Sequence, residues 1–359
     1  FIMNKKLNVA IIGQGRSGRD IHGLYFKSPE NKNFNVTAVV EKSEERRERA
    51  KNEYGCDAYS DYTELFGRND IDIVVNSSYS HMHMPISIDL LNHGFNVVCE
   101  KPFAKCYEDA ARVVKAAERN GKMLNVFQQS RFAPYFTKLC EILDSGKLGE
   151  PMQIGIKFNG FARRWDWQVY NGYAGGGVRN TGPHPLDQAL YLLGFPDNIN
   201  VFSKLGCANS FGDAEDYAKI ILNVPGKPLV DLEISSCSAY PTYLYTIDCT
   251  RGSLRANHKV VEYKYFNPGT APEHRLTLES LSDANGNPAY CSEKLDWTEE
   301  KIDIVGDVFN IGTQKYYDMI YDYLVNGKPM EVNIYQILKQ MKVIDLIRAQ
   351  NPLEIMEAE

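Results

Sequence analysis

Gly13-Gln14-Gly15-Arg16-Ser17-Gly18 is a G-x-G-x-x-G pattern near the start of the chain. It follows an apolar run and opens a segment with helical periodicity, the context in which three such glycines hold a dinucleotide. Gly13 allows the tight turn, Gly15 lets backbone approach a pyrophosphate, and Gly18 lets helix and strand pack closely. The N–H groups of the helix start, with Gln14, Arg16 and Ser17 beside them, then face the anion. A second apolar run ends at Glu41, placed to bind a ribose 2′-hydroxyl and repel a 2′-phosphate. This favours NAD, with NADP possible because Lys42 and Ser43 follow directly.

Glu100-Lys101-Pro102 lies just past another apolar run. In an open parallel sheet, ligands sit at the carboxyl ends of the strands. A lysine there can stabilise an alkoxide or pass a proton through a relay; it also reads as a surface lysine before a turn proline. Farther on, a glycine-rich stretch from Gly175 reaches Asn180, His184 and Asp187. A histidine at this spacing suits a base for an alcohol proton, or it caps a helix. Arg163-Arg164-Trp165-Asp166-Trp167-Gln168 offers aromatic faces and guanidinium forks to a sugar, or forms an interface loop. Arg131, after Gln128-Gln129-Ser130, is a candidate pocket wall.

The elements that must position these groups are legible as periodicities. Strands are expected at 7–12, 35–40, 71–76, 96–100 and 123–126, with helices between them at 43–54, 83–93 and 107–120. Ser43 is a plausible N-cap, and Gly94 and Gly121 stop two of the helices. Strands alternating with helices give a parallel sheet with right-handed crossovers. After residue 126 the rhythm changes. Helices at 133–145 and 183–193 are followed by strand-like alternation at 152–161, 217–224, 229–238, 243–249 and 259–266, and helices return at 315–325 and 335–348. The reading is α/β: a Rossmann domain over residues 1–126, then an α+β domain over 127–359 with a large, mostly antiparallel open sheet and C-terminal helices.

Composition narrows the partners. Hydrophobic residues make up 43% and charged residues 24% of 359, ordinary for a soluble protein. The net charge of −6 and the lack of a basic stripe argue against nucleic acid, and no apolar run has the length of a bilayer span. Eight cysteines occur without a C-x-x-C pair. Buried thiols, such as Cys99 and Cys237, are expected rather than metal ligands or disulfides, which points to a cytoplasmic setting. No signal-peptide pattern opens the chain, and Phe1-Ile2 before Met3 looks like a tag remnant.

Taken together, the Gly13–Gly18 loop, the Glu100-Lys101-Pro102 triplet, the Asn180-x-x-x-His184 spacing and the helical tail resemble the Gfo/Idh/MocA family of oxidoreductases. The resemblance implies Lys101 and His184 as the catalytic pair, a bond before Pro102 that is often cis, and a homodimer or homotetramer. It places Ser77 and Ser78 along the nicotinamide half of a dinucleotide, with His83 at the family's usual histidine; His83 opening a helix reads equally well as structure. The family usually has aspartate where this chain has Asn180, which can bond a sugar hydroxyl but holds no charge against an imidazolium. Three functions stand: a dehydrogenase for a sugar, glycoside or cyclitol; a glycoside hydrolase or lyase using tightly held NAD transiently; and a non-catalytic dinucleotide-dependent regulator.

Overall fold

The computed structural model describes residues 5–353; Phe1, Ile2 and Met3 lie outside the described residues. Six strands form the first sheet: β1 (Leu7–Ile12), β2 (Phe34–Val40), β3 (Asp57–Tyr59), β4 (Ile73–Asn76), β5 (Asn96–Cys99) and β6 (Leu124–Val126). Their order is β3-β2-β1-β4-β5-β6, all parallel. β1 and β4 are Val/Ile-rich runs buried on both faces, as a helix-covered parallel sheet requires. The helices are α1 (Leu24–Lys27), α2 (Glu44–Tyr54), α3 (His83–Asn92) and α4 (Tyr107–Asn120). Ser43 caps α2 through the Arg46 N–H. The helix carrying the glycine loop starts at Arg16 and runs as a π-helix over Gly18–Gly23 before α1.

After α5 (Pro134–Asp144) the chain builds an eight-stranded sheet. Its strands are β7 (Pro151–Asn159), β8 (Asn200–Gly206), β9 (Tyr217–Asn223), β10 (Leu229–Ser235), β11 (Tyr245–Cys249), β12 (Gly252–Ala256), β13 (Val260–Phe266) and β14 (Trp297–Asp303). The order is β14-β13-β12-β11-β7-β10-β9-β8, antiparallel except for the β7–β10 pair. Between β7 and β8 stand the single turn α6 (Gly177–Asn180) and α7 (Pro183–Leu193). The chain closes with α8 (Val308–Asn326) and α9 (Ile334–Ala349). α8 packs on α5 and α1, while α9 packs on α4 and β6 of the first sheet and on α7 and β8 of the second. Among the described residues no helix is long and apolar enough to cross a membrane.

Four strands escape the sequence periodicity. β3 is three residues of a partly exposed edge. β12 is joined to β11 by Thr250-Arg251 alone. β8 and β14 are the two edges of the large sheet, and β14, Trp-Thr-Glu-Glu-Lys-Ile-Asp, carries the charges that protect an edge from pairing further. α8 begins seven residues before the expected 315, capped by the Asp307 carboxylate on the Phe309 and Asn310 N–H groups. The cysteine expectation also needs correction. Cys99 is buried, but Cys237 lies beyond the end of β10 and is exposed, as are Cys207 and Cys291.

Candidate active site

Strand register brings the signature residues together. Ile12 of β1 pairs with Val40 of β2 and Asn76 of β4, and Asn76 pairs with Cys99 of β5. The next residues, Gly13, Glu41, Ser77 and Glu100, therefore leave the sheet side by side at its carboxyl edge. Gly13 has φ +88°, and a Cβ there would stand 2.5 Å from the Ser77 carbonyl oxygen. A Cβ on Gly18 would sit 1.9 Å from the Gly13 carbonyl oxygen, whereas one on Gly15 would meet nothing within 4 Å. Two glycines are thus required by contact with protein, and the middle one borders open space next to the first-turn N–H groups of Arg16 and Ser17. That cradle fits a pyrophosphate.

Glu41 Oε2 accepts the Gln14 N–H at 2.8 Å and Oε1 accepts the Ser43 N–H at 3.0 Å. The carboxylate is held at the loop with lone pairs remaining for a ribose. Ser77 donates its hydroxyl to the Ile12 carbonyl at 2.6 Å and Ser78 to Asn76 Oδ1 at 2.7 Å. Both serines shape the loop from within. His83 is buried, with Nδ1 at 2.7 Å from the Pro102 carbonyl and Nε2 at 3.0 Å from the Ser78 carbonyl. It ties the β4 and β5 loops together, its one N–H donated to one of these two carbonyls.

The Lys101–Pro102 bond is cis. Lys101 Nζ donates to the Asn180 backbone oxygen at 3.1 Å and to Asn180 Oδ1 at 3.2 Å. Asn180 in turn donates its amide to Gln168 Oε1, which fixes the orientation of the side chain. Burial pushes the Lys101 ammonium below the usual lysine range; Glu100 opposes this, and Arg16 and Arg164 add to it. His184 is the second residue of α7, with Nδ1 at 3.0 Å from Ser130 Oγ and no partner for Nε2 among the described residues. Burial, and then the Lys101 charge, push its pKa down to about 3. The ammonium and the imidazole are thus close enough to feel each other's charge. The helix start that carries His184 is pinned at the Pro183 carbonyl, which accepts from Gln128 and Gln340, each at 2.6 Å.

A pocket of about 220 Å³ on the far side of Asn180 is lined by Arg164, Gln168, Asn180, Thr181, Ser210 and Ser235 among others; Lys101 and His184 are not among its lining residues. Arg164 lines this pocket. Arg131 does not, and the pocket-wall assignment is corrected. Its guanidinium is 3% exposed and grips Asp187 through two 2.6 Å bonds, so both charges are spent on each other inside the fold. Trp165 is 78% exposed, edge-on to Phe211, and stands outside the pocket. Trp167 instead meets Tyr79, a residue of the first sheet's β4 loop, edge-on at 5.2 Å. Gln168, Tyr79 and Thr181 receive no individual role from the sequence, because their roles depend on loops of different halves meeting.

Residues 7–128 match the model of the oxidoreductase family with NAD-binding Rossmann fold, and residues 136–255 match the Gfo/Idh/MocA C-terminal domain. The chain is 29% identical to an uncharacterized oxidoreductase of Schizosaccharomyces pombe over 94% of its length and 95% of that protein's. It is 24% identical to a 2,7-anhydro-N-acetylneuraminate hydratase of Mediterraneibacter gnavus, over 70% of this chain and 67% of that one. It is 30% identical to an inositol 2-dehydrogenase of Salmonella typhimurium over 41% of this chain and 44% of that one. In fold it superposes on an NAD-binding protein from Listeria innocua with a TM-score of 0.79 at 21% identity, covering 98% of this chain and 100% of that one. With both family models matched in order and the glycine cradle formed, the chain is a member of the Gfo/Idh/MocA family of NAD-binding oxidoreductases.

Proposed function

We propose that the protein moves a hydride between the hydroxyl-bearing carbon of a sugar, glycoside or cyclitol and a nicotinamide dinucleotide, NAD in preference to NADP. The observation that carries this reading is the seat of Lys101: an amine from the nucleotide-binding half, bonded to Asn180 of the other half, within electrostatic reach of His184. When bound, the nicotinamide supplies the hydride acceptor or donor. Gly15, Arg16 and Ser17 would hold its pyrophosphate and Glu41 its ribose.

The protein's own groups handle the proton. His184 is neutral near neutrality, because its pKa is held at about 3. With its hydrogen on Nδ1, donated to Ser130, Nε2 is left as an acceptor for the substrate hydroxyl proton. Lys101 has three donors; two are taken by Asn180, and the third is available to the oxygen that becomes an alkoxide. The name of the inositol 2-dehydrogenase relative supports a cyclic polyol. The test is to mix purified protein with NAD or NADP and a panel of sugars, glycosides and cyclitols. Reduced nicotinamide should accumulate with at least one of them; none with any polyol on either dinucleotide rejects the reading.

One observation favours a second reading. The relative named 2,7-anhydro-N-acetylneuraminate hydratase carries a name with no net redox change, and Asn180 departs from the aspartate usual in dehydrogenases of the family. In that case the dinucleotide would co-purify, and glycoside cleavage would proceed without net reduction.

A further inference from the structure

Beneath Lys101 lies a polar chain that none of the chemistry above uses. His22, Glu100 and Tyr317 are 0%, 3% and 0% exposed. Glu100 Oε2 accepts the backbone N–H of Lys101 at 3.0 Å, and Glu100 Oε1 is 3.1 Å from His22 Nε2. His22 Nδ1 is 2.6 Å from the Tyr317 hydroxyl. We propose that His22 is a positioning residue for Lys101, acting through Glu100. The inference rests on the reading of Lys101 as the reactive amine.

With Glu100 ionised, the hydrogens can be assigned so that every member is satisfied. Burial keeps the Tyr317 phenol protonated, its pKa raised well above the ordinary value, so its O–H donates to Nδ1. The ring hydrogen then sits on Nε2 and is donated to Glu100. Burial alone would protonate Glu100; the His22 hydrogen bond, with the Lys101 charge nearby, outweighs it and holds the carboxyl low, at about 2. An ionised Glu100 raises the pKa of the Lys101 ammonium, against burial and against Arg16 and Arg164. His83 and His184 also face Lys101, and Cys99, Tyr316 and Tyr317 face Glu100. Removing the His22 donor would leave Oε1 without its partner inside the protein, so the carboxyl would take up a proton and Lys101 would lose its counter-charge.

The backbone explains how the histidine reaches this place. In a π-helix, with i→i+5 bonds, residues four and five ahead both lie over the same face. Gly18, His22 and Gly23 are the buried face of this one. Gly18 is pressed on the Gly13 carbonyl and Gly23 on the Tyr54 hydroxyl, and His22 points between them at Phe127, ring centres 4.4 Å apart. The dinucleotide loop and the Lys101 counter-ion are thus set by one helical turn.

The test reads the Lys101 amine directly. The rate of Lys101 acylation by acetic anhydride, followed by peptide mass spectrometry across pH, gives its titration midpoint in the full chain without any substrate. His22→Leu should lower that midpoint by roughly one pH unit, the effect of losing a nearby opposite charge. His22→Gln, whose amide restores an N–H for Glu100, should return it to the wild-type value. A midpoint unchanged in a folded His22→Leu protein overturns the proposal. If that variant does not fold, Tyr317→Phe decides. Loss of the phenol frees the ring tautomer, a smaller downward shift is expected, and an unchanged midpoint overturns the proposal. A purely structural His22 would alter melting temperature and leave the midpoint in place. Absence of turnover with every polyol would count against the oxidoreductase reading and leave this titration standing.

Discussion

The glycine loop yields a pair of substitutions with opposite signatures. Gly15→Ala places a methyl where nothing lies within 4 Å, and Gly18→Ala places one 1.9 Å from the backbone oxygen of Gly13. The first should leave folding stability within about 0.5 kcal/mol of wild type, as for an open surface site. It should, however, push the dinucleotide off the N–H groups of the helix start. Two charge-assisted hydrogen bonds at about 1.5 kcal/mol each come to about 3 kcal/mol, roughly a hundredfold weaker binding. The second cannot be absorbed by a flexible side chain, because its obstacle is main chain. About 3 kcal/mol, the upper end for overpacking, would lower the melting temperature by roughly 6–12 °C at about 2–4 °C per kcal/mol. Calorimetric titration with NAD at fixed salt, paired with thermal unfolding, separates the two. If Gly15→Ala binds NAD as tightly as wild type, the dinucleotide does not lie on this loop. If Gly18→Ala melts with wild type, the close approach of helix and strand is not what that glycine serves.

Arg131→Met leaves Asp187 as an uncompensated buried charge and should cost about 3–5 kcal/mol in denaturant unfolding, with much of it regained in Arg131→Met/Asp187→Leu; equal losses in single and double variants would mean the pair contributes packing alone. Lys101→Met should cut turnover by roughly a hundredfold or more while sparing dinucleotide affinity, measured by steady-state rates beside titration. The His184 pKa, about 3 in the fold, lies below its unfolded value near 6.5. The unfolded chain therefore binds the extra proton, and stability should fall as pH drops below about 6.5. His184→Asn should flatten that acid slope; an unchanged slope would place the acid sensitivity elsewhere. Lys101, lowered by burial, should lose its proton below the usual lysine range, so the alkaline limb of turnover should fall earlier than for an exposed lysine.

The first sheet was readable because a parallel strand buried on both faces is a continuous apolar run, as in Leu7–Ile12 and Ile73–Asn76. Gly13, Glu41 and Glu100 could each be seen to follow an apolar run, and the register of the strands then sets them beside Ser77 at one edge. What stayed hidden has a common cause. β14 reads as charged because an edge strand is selected against further pairing. Arg131 resembled a pocket residue because nothing in its neighbourhood of sequence announces Asp187, 56 positions later. Asn180 was noticed from its spacing to His184, but Gln168, which orients it, belongs to a loop without periodicity. His22 lay one turn past a familiar motif, and its burial depends on Tyr317, nearly the full chain length away.

The two closing helices have a consequence for how the chain comes into being. α8 supplies Tyr317 to His22, and α9 lies against elements of both sheets. During synthesis the nucleotide-binding sheet emerges first, but the latch behind Lys101 is missing until α8 leaves the ribosome, at roughly 5–20 residues per second. A nascent or prematurely terminated chain would hold a well-formed glycine loop over an unbraced amine. Emergence of α8 is thus the step that braces this lysine from behind.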